Sequence, residues 1–488
     1  MKRILIAASL TIVALLLFSY IHYGDYNSPD YDEDVFKQYV FTTYDYETDK
    51  NITLPSYYSD TLFDADSREK NPSLISFALC LELSSGIDAK VSERSASVLK
   101  LLNDIGCTKI KANDAYYKET SIDSTDAAIG YKEYNGYNVL FLVLNGTHYS
   151  NEKAANVMLG EKGAHTGFTY ARDAGLELLK EFINENNISG DTKILVTGYS
   201  RTAAGANLLA AYISDAIAEN KVSERIGNIT LQQKDVYGFS FETPICGCCD
   251  DGQPLPSDPR YDNIWYVTNP DDLVTYVAPV DYGFIRYGHQ VVLPSHDSAK
   301  AAQMLKNIKT YFEGNDVNVY DLSKFKVISD VNSLEDFNKG FFSKFFESVG
   351  NRQYYHDNIE NDCVYTTYVL GEHPELLKDV VDSSGGYLTL INGLYTHSND
   401  PKDFSDYFRP MVSDAASKYG CSEYTDNIVG FSYSLIQIIK KYSDDSLWKL
   451  VSDKYVLSAT SNVDLLFVPH YPAMTFCYVI IDDPNYKT

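Results

Sequence analysis

The stretch Lys193-Ile194-Leu195-Val196-Thr197-Gly198-Tyr199-Ser200-Arg201-Thr202-Ala203-Ala204-Gly205-Ala206-Asn207 joins an apolar, β-branched run to a small-residue, helix-prone segment. Between them stands a tight turn with a serine at its apex. A strand that turns this sharply into a helix lifts its apical side chain above the end of a buried sheet. The ordinary role of a serine at such a place is to cap the helix N-terminus. The strand-turn-helix context favours a nucleophile elbow instead. Ser200 would then need a histidine to take its proton and an acid to orient that histidine.

The surrounding pattern supplies a matching sheet. Tyr137 to Leu144 is a continuous apolar run bounded by Gly136 and Asn145-Gly146, the form of a buried parallel strand. Val236 to Phe241 and Ile264 to Val267 read as further short strands. The amphipathic segment from Gly167 to Asn187 and the segment after Ser200, to about Ala218, read as helices between them. This alternation predicts an α/β domain with a mainly parallel sheet and helices on both faces. From about Asp297 to Leu457 the pattern changes to helix-length stretches, which predicts a helical insertion or cap. The expected organisation is a signal segment at 1–24, a linker or N-terminal extension with a short strand or two at 25–70, and a core at 71–296. The helical insertion follows at 297–457, and 458–488 is expected to complete the core.

Acid candidates stand where such a sheet places its chemistry. Thr268-Asn269-Pro270-Asp271-Asp272 is the turn at the C-terminal end of the Ile264 strand, and open α/β sheets bind ligands outside those strand ends. Either aspartate could be a solvated turn residue, yet the location points to function.

Composition removes other classes. The chain has 488 residues, 41 basic and 67 acidic, for a formal net charge of -26, which would repel nucleic-acid phosphates. Eight cysteines are too sparse for a disulfide-held scaffold of this length. Cys246, Cys248 and Cys249 have no histidine or further cysteine pair at zinc-site spacing, so neither a metal nor a cofactor is expected. Lys2 and Arg3 precede the uncharged run from Ile4 to Ile21, and the acidic segment Asp25 to Asp34 follows it. That is an export signal, and its length favours an uncleaved membrane anchor over a cleaved peptide. The body of the protein is expected at the cell surface or secreted, and its oligomeric state is left open.

The chain resembles the class 3 lipase family, the fungal-type triacylglycerol lipases of the α/β-hydrolase fold, and particularly exported bacterial members. The segments that carry the resemblance are Leu144 to Thr147, His165 to Phe168, the elbow from Gly198 to Asn207, and Asn269 to Pro279 followed by Tyr282-Gly283-Phe284. They cover roughly residues 60 to 295. The resemblance implies that Ser200 is the nucleophile and Asp272, rather than Asp271, the triad acid. It implies that the Gly146-Thr147 backbone, helped by the Thr147 hydroxyl, and the backbone N–H of Arg201 form an oxyanion hole.

Nine histidines compete for the base. His22, His148, His165 and His289 lie where other motifs explain or exclude them, with His165 matching a structural position at a helix start. His470, in Val468-Pro469-His470-Tyr471-Pro472, resembles the closing segment of the bacterial relatives and is preferred. His356 is the alternative, because fungal members place their base closer to the acid. Tyr199 stands where the family has His, Thr202 where it has Gly, and Asn145 where it has Arg. A side chain at 202 is expected to crowd the elbow. The leading function is serine-dependent hydrolysis of a carboxylic ester, lipid or otherwise. The alternative is a weak or inactive hydrolase-fold surface protein that binds a ligand or partner.

Overall fold

The structure is a computed structural model. It describes residues 35–118, 121–145, 151–248, 255–276, 278–312, 317–326, 333–462 and 465–486. The expected signal anchor at 1–24 lies outside the described residues. Among the described residues no helix is long and apolar enough to cross a membrane.

A hairpin opens the described chain, with β1 (Lys37–Asp45) antiparallel to β2 (Lys50–Tyr58). The main sheet contains β3 (Lys109–Ala112), β4 (Ala127–Tyr134), β5 (Tyr137–Leu144), β6 (Gly190–Tyr199), β7 (Val236–Phe241), β8 (Ile264–Thr268) and β9 (His289–Val292). Their spatial order is β9-β8-β7-β6-β5-β4-β3, and the two-residue strand Ile229–Thr230 pairs beside the start of β6. From β5 to β9 every pairing is parallel; β4 runs antiparallel between β3 and β5. This is an α/β-hydrolase fold with a helical C-terminal region.

The strand sequences explain the layers. Side chains alternate across a sheet, so a strand buried on both faces must be apolar throughout. In β5, Val139, Phe141 and Val143 enter one core and Leu140, Leu142 and Leu144 the other. The first core is covered by α1 (Pro72–Leu83) and α2 (Ala96–Asp104), the second by α3 (Thr166–Glu185) and α4 (Arg201–Ala218). Phe141 anchors the first through edge contacts to Phe63 and Phe77 at 5.5 and 6.2 Å between ring centres. Such pairs add roughly 0.5–1.5 kcal/mol each beyond their buried area.

Both ends of the described chain pack against this core. The segment expected to hold a short strand or two forms the β1–β2 hairpin, whose inward residues are Phe41, Thr43 and Asp45 on one strand and Leu54, Ser56 and Tyr58 on the other. Polar residues at half of those positions weaken the period-two hydrophobic signal of a buried face. The apolar run Leu465 to Val468 is not a strand. It enters a single 3-10 turn, Val468–His470, and then the helix Pro472–Val479. Pro469 and Pro472 lack the N–H a ladder needs and suit a first helical turn. That C-terminal helix packs on α1 and on α5 (Ala301–Tyr311).

Between Ala301 and Ser461 the described elements after β9 are all helices. Its middle part has a separate core around Leu376, Leu390, Phe404, Val412 and Ile436. The helix Leu334–Val349 instead joins the main core through Phe337, Phe342 and Phe345.

Candidate active site

The elbow forms where the sequence places it. Ser200 has φ 55° and ψ −126°, left-handed backbone that a non-glycine residue rarely adopts. Holding it there costs about 1–3 kcal/mol. The neighbouring strand helps hold it, because the Ser200 N–H donates to the Phe241 carbonyl at 2.9 Å. A Cβ on Gly198 would stand 2.3 Å from the Thr202 carbonyl, so only glycine fits that position.

Thr202 does not crowd the turn as expected. Its hydroxyl lies 2.9 Å from the Leu144 carbonyl and 3.0 Å from that of Tyr199, and accepts from the Tyr199 N–H at 3.3 Å. A fully buried threonine with its hydroxyl satisfied ties the elbow to the end of β5.

Asp272 follows β8 in the turn after Asn269 and is completely buried. One carboxylate oxygen accepts the Val274 N–H at 2.8 Å, and the other lies 2.7 Å from His470 Nδ1. His470 Nε2 lies 2.9 Å from Ser200 Oγ. The Asp272 contact fixes the tautomer: with the proton on Nδ1, the Nε2 lone pair faces the serine hydroxyl. The structure therefore brings Ser200, His470 and Asp272 into one relay.

Further bonds aim these groups. Tyr199 OH donates to the His470 carbonyl at 3.0 Å, which gives the residue before the serine a second task. Asn269 Nδ2 reaches the Pro469 carbonyl at 3.3 Å, so the acid turn also holds the histidine turn.

The other sequence candidates go elsewhere. Asp271 accepts the His296 backbone N–H at 2.6 Å and lies 3.0 Å from the His296 ring. His356 Nδ1 sits 2.6 Å from Glu360 Oε2 within the helical region. His165 is fully buried and stacked on Phe168 at 3.8 Å, and burial pushes it down to about 3, against the bond to the Asn156 carbonyl. It stays neutral near pH 7, as suits a structural residue. Cys246 is a buried free thiol, Cys248 is buried, and Cys249 lies outside the described residues. Among the described residues no group of three or more His, Cys, Asp and Glu side chains is arranged to hold a metal ion.

Thr147, expected in the oxyanion hole, lies outside the described residues with 146–150. Both flanks of that segment are anchored. Asn145 accepts from Ser85 Oγ at 3.2 Å and donates to Asp126 at 3.4 Å, while Glu152 lies 3.4 Å from the buried Arg201 guanidinium. Arg201 is the first residue of α4, so its backbone N–H has no acceptor within the helix.

A cavity of about 190 Å³ opens over Ser200 and His470. Its walls include Tyr44 and Tyr46 of the N-terminal hairpin and its turn, Tyr471 of the C-terminal segment, and Glu82 at the end of α1. Sequence reading did not find these residues, because nothing local distinguishes them from other tyrosines. Glu242 was also missed, although it ends an apolar strand just as the acid turn follows one.

No family model matches the chain, and no curated protein does. Two similar solved structures are lipases. One is a triacylglycerol lipase whose catalytic centre is described as a serine protease triad, at 15% identity over 47% of this chain and 83% of that one, with a TM-score of 0.27. The other is a fungal lipase–inhibitor complex, at 15% identity over 46% of this chain and 77% of that one, with a TM-score of 0.29. Likeness at that level transfers no residue's role. The fold follows from the sheet order and the elbow described above.

Proposed function

We propose that this protein is a carboxylic-ester hydrolase of the lipase and esterase class that works through an acyl-enzyme on Ser200. The observation that carries this reading is the Ser200–His470–Asp272 relay, with links of 2.9 and 2.7 Å at the end of a parallel sheet. His470 Nε2 takes the serine proton as Oγ attacks the ester carbonyl, and Asp272 stabilises the imidazolium that forms. The negative oxygen of the tetrahedral intermediate is held by the Arg201 N–H together with the Gly146-Thr147 segment. His470 then protonates the leaving alcohol, and water attacks the acyl-enzyme by the same route in reverse.

The class 3 lipase resemblance supports the reading at the level of motif order. The small, tyrosine-walled cavity supports esters with a compact acyl or alcohol arm. Residues 4–21 would carry the catalytic body to the outer face of a membrane, where ester substrates, lipids included, are met.

Labelling of the full chain with a fluorophosphonate probe tests this. One equivalent of adduct on Ser200, lost in Ser200→Ala, is expected. Folded protein that takes up no Ser200-dependent label would instead be a hydrolase-fold binding protein.

A further inference from the structure

Glu242 sits behind the relay and joins every segment that carries it. It is completely buried at the end of β7, with φ 46°, a second non-glycine residue in left-handed backbone beside the elbow. Its Oε2 accepts the Asn269 N–H at 2.8 Å, from the acid turn. Its Oε1 accepts the Thr475 hydroxyl at 2.7 Å, from the C-terminal helix that follows His470. Thr475 Oγ1 lies 2.8 Å from Tyr199 OH, which brings in the elbow. The Glu242 carboxyl also lies beside the Asp272 carboxyl, close enough for the two to act on each other. A carboxyl–carboxyl hydrogen bond requires one of the two to carry a proton.

The charges around the pair decide which. Asp272 faces His470 Nδ1 and the Val274 N–H, both of which favour its ionised form. Among the described residues no basic side chain is ion-paired with Glu242. The nearby half-buried cation, Arg286, donates to the carbonyls of Thr243 and Thr275. The other titratable groups facing this region are Tyr199, whose hydroxyl burial keeps protonated, Glu82 beyond it, and the separate Asp271–His296 pair. Two adjoining buried carboxyls cannot both ionise, as in the aspartic-protease dyad. Burial, and then the Asp272 charge, push Glu242 well above the usual carboxylate range, outweighing the lowering from Thr475 and Asn269.

We propose that Glu242 is a positioning residue for the hydrolysis: a neutral carboxylic acid that keeps its proton, donates a hydrogen bond to Asp272 and holds that carboxylate beneath His470. The two acids then carry one negative charge between them. The inference rests on the ester-hydrolase reading for its kinetic consequence, though not for the protonation state itself.

The test uses the full chain with Glu242→Gln and Glu242→Ala. Glutamine keeps an N–H donor toward Asp272, whereas alanine removes it. Loss of one buried hydrogen bond of this kind is worth about 10- to 100-fold, so Glu242→Ala should lower kcat by that factor with KM little changed. Glu242→Gln should recover most of the loss, and the acid limb of its kcat/KM profile should keep the wild-type midpoint. At neutral pH, the infrared difference between wild type and Glu242→Gln should show the carbonyl stretch of a protonated carboxyl. Carboxylate bands in that difference would overturn the proposal. So would an acid limb displaced to lower pH in Glu242→Gln, because that displacement means Glu242 had carried a negative charge beside the relay. Equal kcat in all three proteins would also overturn it. If wild type takes up no Ser200-dependent label, the hydrolase reading falls, and the infrared band alone still decides the state of Glu242.

Discussion

The site has two halves of different origin. The elbow and the acid turn project from the ends of β6 and β8, two parallel strands with β7 between them, within short, locally recognisable stretches. The base and the cavity walls come from the two ends of the described chain: His470 meets Asp272 across 198 residues and Ser200 across 270. The sheet half is positioned by backbone geometry that strand pairing imposes. The other half is positioned by packing and by the hydrogen bonds of Tyr199 and Asn269. The candidate nucleophile and acid thus stand on the rigid sheet, and the candidate base and much of the cavity wall on the added segments.

If the division holds, substitutions on the two sides should fail differently. On the sheet side, Asp272→Asn leaves the shape of the turn but offers His470 the wrong hydrogen-bonding partner. A kcat lower by about 10⁴-fold with KM preserved is expected. A loss confined to KM would place Asp272 outside the chemical step. On the added side, Tyr46→Ala in the hairpin turn should change KM, and the ranking of esters by acyl or alcohol size, by up to about tenfold, with kcat for the smallest ester nearly constant. A collapse of kcat for every ester would mean that the hairpin shapes the relay as well as the cavity.

The same division explains what could be read from the sequence. Leu195, Val196, Gly198 and Ser200 announce the elbow because a buried parallel strand tolerates only apolar residues and the turn only glycine at 198. Asp272 is legible because it follows a strand end. His470 could be preferred over His356 only by resemblance, since nothing near either one encodes a contact made hundreds of residues away. The hairpin was legible only as a short strand or two because Thr43, Asp45 and Ser56 face inward and blur its alternation. Thr202 read as a steric fault because sequence gives the size of a side chain but not the acceptor it will meet. That acceptor is the Leu144 carbonyl, on the adjacent strand.

The central claim is that His470 is the base of an acyl-transferring serine. It is tested most directly by the pre-steady-state release of p-nitrophenol from a short p-nitrophenyl ester, with intact-mass detection of the acyl adduct. Wild type and His356→Ala should both acylate Ser200 rapidly, and His470→Ala should acylate it about 10⁴- to 10⁶-fold more slowly. Rapid acylation of Ser200 in His470→Ala, or its loss in His356→Ala, would contradict the account.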